Sequence, residues 1–549
     1  MNDSAKEKDD SLRVSKVVAF IPAVIVVLLC IVITLFPNNF EVGLGNVQDI
    51  LVNKCDFIFI ILNWACTIFA LYVALSKYGK IKIGNIDKPR YSTFSWVGLI
   101  FTSTMAADML YWAMIEWIYY YQGSPFGVDP AERSLSETRD YISSYSLFHW
   151  GPMSWIYFIL PAAIFGFMVF VKKRSNESIS EACRPVLGNR VDGWVGTLID
   201  FFCVLACILS CPIFIRIGTP VISALVAYLF GLSDSALLQI IIIVIIAVIY
   251  TAATVIGMRA IKILSDTGMW LYIVLCLVFF VFGPILYTVD SAITSIGFVL
   301  QHYFTMSTWL DPLRLTAATA GGMGFPQTWT VFFNANWLVS IAAVPFFIAK
   351  ISEGRTLRNT ILGGMLAGVG ATYFSFIIMG NYSIFQQLTG VADYAAMADA
   401  GYSTAQIIAE IIKTLPMAQI VMFLVILTMI ALFVTTFDAN CLMLACFSQR
   451  HRKLGQEPST GMRLFFAIFI ALTPIAMTIA NTSLSQLQTI QVTISYPMVV
   501  CLIIMMFAFK KDLNHMDMST YDPKVGVDPH IFDDDYFDPV PKKLKTDKQ

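Results

Sequence analysis

The chain has 549 residues, of which 57% are hydrophobic and only 13% charged, and its mean hydropathy is +0.71. So little charge cannot cover the surface of a soluble protein of this size, and a net charge of −1 gives no sign of a nucleic-acid partner. Apolar runs of about 18 residues or more recur along the whole chain, and each can cross roughly 30 Å of hydrocarbon. The pattern predicts a polytopic helical membrane protein, because a membrane barrel would show short alternating segments instead.

The hydropathy pattern predicts twelve membrane spans, numbered here in chain order. Span 1 follows a mixed-charge N-terminal segment, 1–16, and is too long for a signal-peptide core. The predicted spans are 17–36, 56–76, 94–120, 147–171, 195–217, 235–257, 268–289, 327–350, 359–383, 416–446, 461–481 and 484–509.

Basic residues indicate the orientation of these spans in the cell membrane. With both termini in the cytoplasm, all but six of the 36 Lys and Arg residues lie in cytoplasmic segments or at cytoplasmic span ends. Segment 290–326 is predicted to form an interfacial helix and turn at the outer surface, and 510–549 a cytoplasmic tail whose regulatory role stays open. The six exceptions are Lys54, Arg133, Arg139, Arg216, Arg314 and Lys413.

Polar side chains at membrane depth are costly, so they indicate helix faces that line the bundle interior or a cavity. Span 3 carries Asp108 and Glu116, eight residues apart and therefore on one helix face. Small residues before Asp108 favour local unwinding, which exposes carbonyl groups that can hold a cation. The other polar positions are Asn334 and Asn336 in span 8 and Thr435, Thr436, Asp438 and Asn440 in span 10.

Four segments resemble the betaine/choline/carnitine transporter (BCCT) family, from about residue 15 to 510. Span 4 contains FHWGPMSW, which is similar to the family's FHWG-x-x-x-W segment. Span 8 contains GFPQTWTVFF and FFIAKISEGRTLR, which resemble the signature FPQ-x-WT-V-FYWAWW followed by FIARISRGRT. VTTFDAN in span 10 is similar to TS-x-DS, and YWAMIEWIYYY in span 3 resembles the carnitine/γ-butyrobetaine exchanger branch.

This resemblance implies an all-α polytopic membrane protein with the LeuT-like fold shared with sodium-coupled amino-acid symporters. Two N-terminal spans (17–93) would precede two inverted five-helix repeats, spans 3–7 (94–289) and spans 8–12 (327–509), around a midplane substrate site. It also implies a homotrimer in the lipid bilayer that works by alternating access. Arg355 and Arg358, after span 8, are expected to order that cytoplasmic loop rather than contact substrate.

The resemblance also places substrate-binding positions on particular residues. The tryptophan of FHWG is Trp150, the third-span tyrosine is Tyr119, and the fourth-span tyrosine falls on Phe158 with Tyr157 beside it. Of the four tryptophans of the eighth-span box only Trp337 is kept. The remaining box positions are Phe333, Asn334, Ala335, Asn336 and Ser340. The candidate substrate site consists of Asp108, Trp112, Tyr119, Trp150, Tyr157, Phe158, Asn334, Asn336, Trp337 and Ser340. Amides in place of indoles argue against a standard trimethylammonium cage.

Asp108 indicates a cationic substrate. Betaine carriers of the family have a glycine at this position, whereas choline-type members have an aspartate. A substrate without its own carboxylate needs an anion from the protein, so a buried aspartate favours a cation over a zwitterion. The alternative is that Asp108 pairs with a polar group on a neighbouring helix and is structural.

The resemblance further predicts a sodium site. Sodium-independent exchangers carry an arginine where this chain has Gly268, so that substitute cation is missing. The threonine pair of the sodium-coupled members is present as Thr435 and Thr436, and Thr102 and Met105 align with their backbone ligands. Proton coupling through the acidic residues of spans 3 and 10, or exchange without an ion, are the alternatives.

The sequence therefore predicts a secondary transporter for a small organic ammonium compound, choline-like or less methylated, with sodium as the one expected cofactor. One alternative is a betaine/carnitine-type exchanger whose cage consists of Trp112, Tyr119, Trp150 and Trp337. Another is a transport-like membrane sensor with the acidic tail as its output. An enzyme is not expected, because no nucleophile with a matched base and no metal-ligand set is found; His149 is interpreted as structural.

Overall fold

The computed structural model describes residues 14–103, 107–174, 177–316, 323–341, 344–449, 457–519 and 521. Within these ranges the chain forms helices and loops, and its one β-bridge joins Lys82 to Thr356. Ten of the described helices are long and apolar enough to cross a membrane. Predicted spans 3 and 8 are the other two. The structure describes span 3 as a helix on either side of residues 104–106, which lie outside the described residues, and span 8 as three shorter helical segments.

The observed helices agree with the predicted spans to within a few residues at most ends. Spans 1 and 2 are Lys16–Leu35 and Phe57–Leu75, span 3 comprises Thr93–Ser103 and Ala107–Gln122, and span 4 comprises Pro152–Gly166 and Phe167–Val171. Spans 5, 6 and 7 are Trp194–Phe230, Ala236–Ile256 and Met258–Phe282, and span 8 comprises Gln327–Val331, Phe332–Leu338 and Val344–Ile351. Spans 9 to 12 are Asn359–Thr389, Ala418–Ser448, Thr460–Ile479 and Leu484–Asn514.

Some boundaries differ from the prediction for identifiable reasons. Span 5 continues past the predicted end at 217, because the helix accommodates Pro212 and Pro220 until Gly231 ends it in the left-handed conformation. A separate helix, Leu135–His149, leads into span 4 and begins at a capping box formed by Ser134 and Glu137. Hydropathy alone does not reveal this helix, because its first turns are polar.

The non-spanning helices also differ from the prediction in extent. The interfacial helix runs from Ile285 to Thr308 and is separated from span 7 by Gly283 and Pro284. Span 7 therefore ends before the predicted residue 289. The remaining non-spanning helices include Pro37–Gln48, Ile179–Ala182, Arg184–Leu187, Tyr394–Asp399 and Thr404–Lys413, none of which the hydropathy pattern indicated.

Span 4 lies at the centre of the bundle. Every residue from Met153 to Gly166 is buried, as expected for a helix that is apolar on all sides. The middle segment of span 8, Phe332–Leu338, packs against span 4 on one side and span 12 on the other. The outer part of span 3, Ala107–Gln122, packs against Leu135–His149 and span 5. These contacts bring spans 3, 4 and 8 together around the candidate site.

The loop after span 8 is held by its two arginines, as expected from the sequence. The guanidinium of Arg355 lies 4.2 Å from the ring centre of Trp96 and donates to the carbonyl of Tyr91 at 3.1 Å. Arg358 Nε donates to the carbonyl of Ala74 at the end of span 2, at 2.8 Å. The loop therefore connects spans 2, 3 and 8.

Candidate functional site

An aromatic cluster forms where spans 3, 4 and 8 meet. Its rings lie within 4.6–6.4 Å of one another, centre to centre, along a continuous path. The path connects five of the predicted substrate residues through Phe333, which bridges span 3 to span 4. In order along the path, the members are Tyr119, Trp112, Phe333, Trp150, Trp337 and Phe158.

Trp337 is the centre of the inner half of this cluster. Its ring centre lies 5.8 Å from that of Trp150, 5.4 Å from that of Trp155 and 4.6 Å from that of Phe158. Its indole Nε1–H is buried and has no hydrogen-bond partner among the described residues. A buried donor without a partner is costly, so an acceptor on a ligand would stabilise this N–H.

Gly368 of span 9 sets the position of Trp155. A Cβ atom at this glycine would lie 2.3 Å from the Trp155 ring, so only glycine permits the close approach of span 9. Sequence reasoning missed Trp155, although it is the last residue of FHWGPMSW, and it also missed Phe333 as a bridge. Both residues lie inside the matched motifs, and this position could have identified them.

Asn334 connects span 8 to span 4. Its Oδ1 accepts from the hydroxyl of Tyr157 at 2.8 Å, and its Nδ2 donates to the Thr330 carbonyl at 2.8 Å and to the Met153 sulfur at 3.5 Å. The side chain is completely buried. In this conformation the amide of Asn334 and the hydroxyl of Tyr157 are therefore both hydrogen-bonded within the protein.

Asn336 keeps one side of its amide free. Its Oδ1 accepts from Gln491 Nε2 of span 12, while no described residue accepts from its Nδ2. Gln491 is completely buried, and its own Oε1 has no partner. Ser340 follows in the turn that ends this helical segment and is partly exposed. The sequence did not identify Gln491 as a site residue, because the apolar pattern of span 12 does not set this glutamine apart.

Glu116 lies at the centre of a buried polar chain beside the aromatic cluster. Its Oε2 accepts from the indole N–H of Trp150 at 2.7 Å, and its Oε1 accepts from the Tyr120 hydroxyl at 2.5 Å. The same hydroxyl lies 2.6 Å from Nδ1 of His149, whose Nε2 lies 3.1 Å from the hydroxyl of Thr330. Glu116 thus fixes the orientation of Trp150, and the chain connects spans 3, 4 and 8.

The predicted sodium ligands of span 10 are arranged side by side. Thr435 and Thr436 each donate to a carbonyl one turn earlier, at 3.0 Å. These bonds use the hydroxyl protons and leave oxygen lone pairs for a cation. Gly268 of span 7 packs beside these carbonyls, and a Cβ there would lie 3.1 Å from that of Ala431. A larger side chain at this position would therefore require Ala431 and Leu432 to shift.

The side chains of the remaining predicted site residues are not among those that the structure describes. The structure gives the backbone of Thr102 and Asp108, which stand at the inner and outer sides of residues 104–106, and it does not describe Met105. Asp108 belongs to the same helix as Trp112 and precedes it by four residues, about one helical turn. Among the described residues no group of three His, Cys, Asp or Glu side chains could hold a metal.

Asp438 of span 10 has a structural partner. Its Oδ1 accepts from Nη2 of Arg463 in span 11, and both side chains are buried. The sequence left Asp438 open as a proton-coupling group. The structure instead joins two helices through it.

The loop that leads into span 8 is held by Asp311. Burial raises the pKa of this carboxyl, but hydrogen bonds from the hydroxyl and amide of Thr316 and from the amide of Leu315 outweigh it, and the pKa lies below its ordinary value. The Thr316 hydroxyl also accepts from the amide of Phe325 at 2.7 Å. This loop therefore positions the start of span 8 with an ionised carboxylate.

Comparison with known proteins identifies the family. Residues 17–518 match the family described as BCCT, betaine/carnitine/choline family transporter. The chain is 28% identical to the uncharacterized transporter YeaV of Escherichia coli K12 over 80% of this chain and 89% of the relative. It is 26% identical to a carnitine transporter of Acinetobacter baumannii over 81% of this chain and 79% of the relative.

A second relative at 26% identity is a probable glycine betaine transporter of Desulfitobacterium hafniense, matched over 90% of this chain and 97% of the relative. The match extends over nearly the whole chain, and the residues of the aromatic cluster come from the segments that carried the resemblance. The chain belongs to the BCCT family of secondary transporters.

Proposed function

We propose that this transporter carries a small organic ammonium compound, choline-like or less methylated, by alternating access. The observation that supports it most is the single aromatic cluster that Trp112, Trp150, Trp337 and Phe158 form across spans 3, 4 and 8. Aromatic faces attract ammonium cations through the ring quadrupole, and tryptophan does so most strongly. Two relatives are named for carnitine and glycine betaine, which are both ammonium compounds.

Asp108 supplies the charge that would favour a cation over a zwitterion. It precedes Trp112 by one helical turn, so its position on the helix is next to the cluster. A cation that enters a low-dielectric site is stabilised by a carboxylate, whereas a zwitterion brings its own carboxylate and would be repelled. This charge argument is the reason for preferring choline-like compounds to betaines.

Two hydrogen-bond donors favour a substrate with an acceptor. Trp337 Nε1 has no partner, and Asn336 Nδ2 donates to no described residue. The hydroxyl oxygen of a choline-like alcohol would satisfy such a donor, whereas a simple alkylammonium would leave both unpaired. Asn334 supports span packing in this conformation, so we assign the substrate contact of the amide pair to Asn336.

We further propose sodium as the coupling ion. The free lone pairs of Thr435 and Thr436 provide hard oxygen ligands, and Thr102 and Met105 would add backbone carbonyls from span 3. Gly268 supports this assignment, because it provides no side-chain cation that would take the place of sodium.

A betaine/carnitine-type exchanger is the second candidate. Its predicted cage of Trp112, Tyr119, Trp150 and Trp337 also lies in the cluster, with the ring centre of Tyr119 6.4 Å from that of Trp112 and 4.7 Å from that of Trp329. In that case the free donors would bind a substrate carboxylate. The two candidates differ in whether substrates with a carboxylate compete better than those without one.

The decisive experiment is uptake of labelled choline into proteoliposomes. Unlabelled ethanolamine, dimethylethanolamine, glycine betaine and carnitine are added as competitors, with and without an inward sodium gradient. We expect choline, ethanolamine and dimethylethanolamine to compete best, uptake to need sodium, and Asp108→Gly to weaken choline competition at least tenfold. Better competition by glycine betaine or carnitine, together with an unchanged Asp108→Gly variant, would overturn the proposal.

A matched tryptophan pair tests the cluster itself. Trp337→Ala removes the central ring, and a desolvated cation–π contact of about 2 kcal/mol corresponds to roughly a thirtyfold loss of choline affinity. Trp194→Ala is the control, since Trp194 is 76% exposed at the start of span 5. Equal effects of the two substitutions would exclude Trp337 from the substrate site.

A further inference from the structure

We propose that Glu116 is a proton-binding site, and that Tyr120, His149 and Thr330 form the path by which a proton reaches it from span 8. The proposal rests on the proposed function in one respect, namely that Trp150 contacts the substrate. Glu116 holds the indole N–H of Trp150. The charge of this carboxylate would therefore control how strongly the cluster attracts a cation.

The hydrogen bonds of this chain can run in either direction. When Glu116 is ionised, Thr330 donates to His149 Nε2, His149 Nδ1–H donates to the Tyr120 oxygen, and Tyr120 donates to Glu116. When Glu116 is protonated, every bond reverses: Glu116 donates to Tyr120, Tyr120 to His149 Nδ1, and His149 Nε2–H to Thr330. The imidazole is neutral in both states and changes only its tautomer.

Proton transfer along this chain balances without any further group. A proton that reaches the Thr330 oxygen displaces the Thr330 hydroxyl proton to His149 Nε2, the Nδ1 proton then passes to the Tyr120 oxygen, and the Tyr120 proton passes to Glu116 Oε1. The net change is one proton gained by Glu116. The donor–acceptor distances of 3.1, 2.6 and 2.5 Å are all within hydrogen-bond range.

The surroundings favour a carboxyl that can change charge. Glu116 and His149 are completely buried, and Phe333 stacks on the imidazole at 4.7 Å. The titratable groups around Glu116 are Tyr119 and Tyr120 on its own helix and Tyr145 and His149 on the preceding helix of span 4. The described residues of spans 8 and 9 present neutral side chains here: Thr330, Phe333 and Phe376.

No lysine or arginine forms an ion pair with Glu116 among the described residues. Arg133 lies beyond Tyr120 and donates to backbone carbonyls at the outer end of span 3, at 2.7–3.1 Å. A buried carboxylate without a cation is costly, so the neutral form is accessible. A substrate cation at Trp150 would supply the missing charge, and its binding is therefore expected to release a proton.

This linkage has a definite sign. An ionised Glu116 accepts the indole proton of Trp150 and makes the ring more negative, which favours a cation, whereas a neutral carboxyl does not. Cation affinity is therefore expected to fall as the pH is lowered, by at most about tenfold per pH unit for one exchanged proton.

The first test needs no substrate. Protein labelled with ¹⁵N-indole tryptophan gives a Trp150 Nε1–H signal that the Trp150→Phe variant identifies among the 11 tryptophans. This signal should move with pH in the wild type, as its acceptor changes from carboxylate to carboxyl, and should not move in Glu116→Gln. A pH-independent signal in the wild type, or the same titration in Glu116→Gln, would overturn the proposal whether or not choline is transported.

The second test connects the site to the substrate. Choline is added to the purified protein in weak buffer with a pH indicator, and the wild type should release about one proton per bound choline. Glu116→Gln should bind choline with no proton release and a flat pH profile, while Glu132→Gln, on the outer surface, should behave as the wild type. Choline binding without proton release in the wild type would contradict the proposal; failure of choline to bind would instead contradict the proposed function.

A third variant addresses the path. Tyr120→Phe leaves Glu116 in contact with Trp150 but breaks the chain to His149, so it should slow proton release during a pH jump at least tenfold without changing the titration amplitude of Trp150. An unchanged rate would show that protons reach Glu116 by another path and would remove Tyr120, His149 and Thr330 from the proposal.

Discussion

The ion pair between spans 10 and 11 allows a quantitative prediction. Asp438→Asn would leave the guanidinium of Arg463 without its anion, in a side chain that is only 6% exposed. Breaking a buried ion pair in a soluble protein costs about 3–5 kcal/mol, because the remaining charge is left without a partner. We therefore expect Asp438→Asn to lower the free energy of unfolding by about 3 kcal/mol, which is more than a hundredfold in the folded-to-unfolded ratio.

Removal of both charges should reverse this loss. The double variant Asp438→Leu/Arg463→Met places apolar groups of similar volume between the two helices and leaves no unpaired ion. Replacement of buried ion pairs by apolar residues is neutral or stabilising by about 1–4 kcal/mol. The double variant should therefore be at least as stable as the wild type. It should also transport with unchanged ion dependence, because the pair is structural.

Heating of a detergent-solubilised fluorescent fusion, followed by size-exclusion chromatography, measures the fraction that remains folded. Uptake into proteoliposomes then measures transport and its dependence on sodium and pH. Single variants as stable as the wild type would refute the energetic reasoning. A stable double variant that transports without its normal ion dependence would show that Asp438 takes part in coupling.

Three further predictions concern packing. Gly368→Leu should displace the ring of Trp155 and abolish uptake, whereas Gly370→Leu, where a Cβ meets nothing within 4 Å, should leave uptake near the wild-type level. Gly268→Arg should force span 7 away from span 10 and lower both thermal stability and sodium-dependent uptake; retention of both would contradict the packing argument. Arg355→Lys keeps the charge but loses the planar contact with the indole and the fork of hydrogen bonds, so the maximal uptake rate should fall more than choline affinity, as measured by uptake kinetics.

Much of the fold could be predicted from the sequence, because membrane helices can be recognised by their length and hydropathy. The helices and boundaries that were not predicted are those that a hydropathy pattern does not detect. Helix Leu135–His149 begins with polar residues and a capping box, and Thr404–Lys413 is too short to span. The continuation of span 5 depends on how Pro212 and Pro220 are accommodated, which composition does not determine.

The candidate site could be predicted only where a motif carried it. Trp150, Trp337 and Phe158 were found because they lie in matched segments, and the structure brings them together. Partners distant in sequence were not found: Gln491 lies 155 residues from Asn336, and Arg463, interpreted as part of a basic cytoplasmic flank, pairs with a residue of the preceding span. Such pairings depend on which helix faces meet.

The amides of span 8 now have different explanations. Asn334 is used by the protein, because its amide oxygen accepts from the hydroxyl of Tyr157 in span 4. Asn336 is different, since no described residue accepts from its Nδ2, and the N–H of Trp337 likewise has no partner among the described residues. Under the proposed function these two donors favour a substrate with an acceptor oxygen, which is why we expect choline and the ethanolamines to compete better than an alkylammonium compound without one.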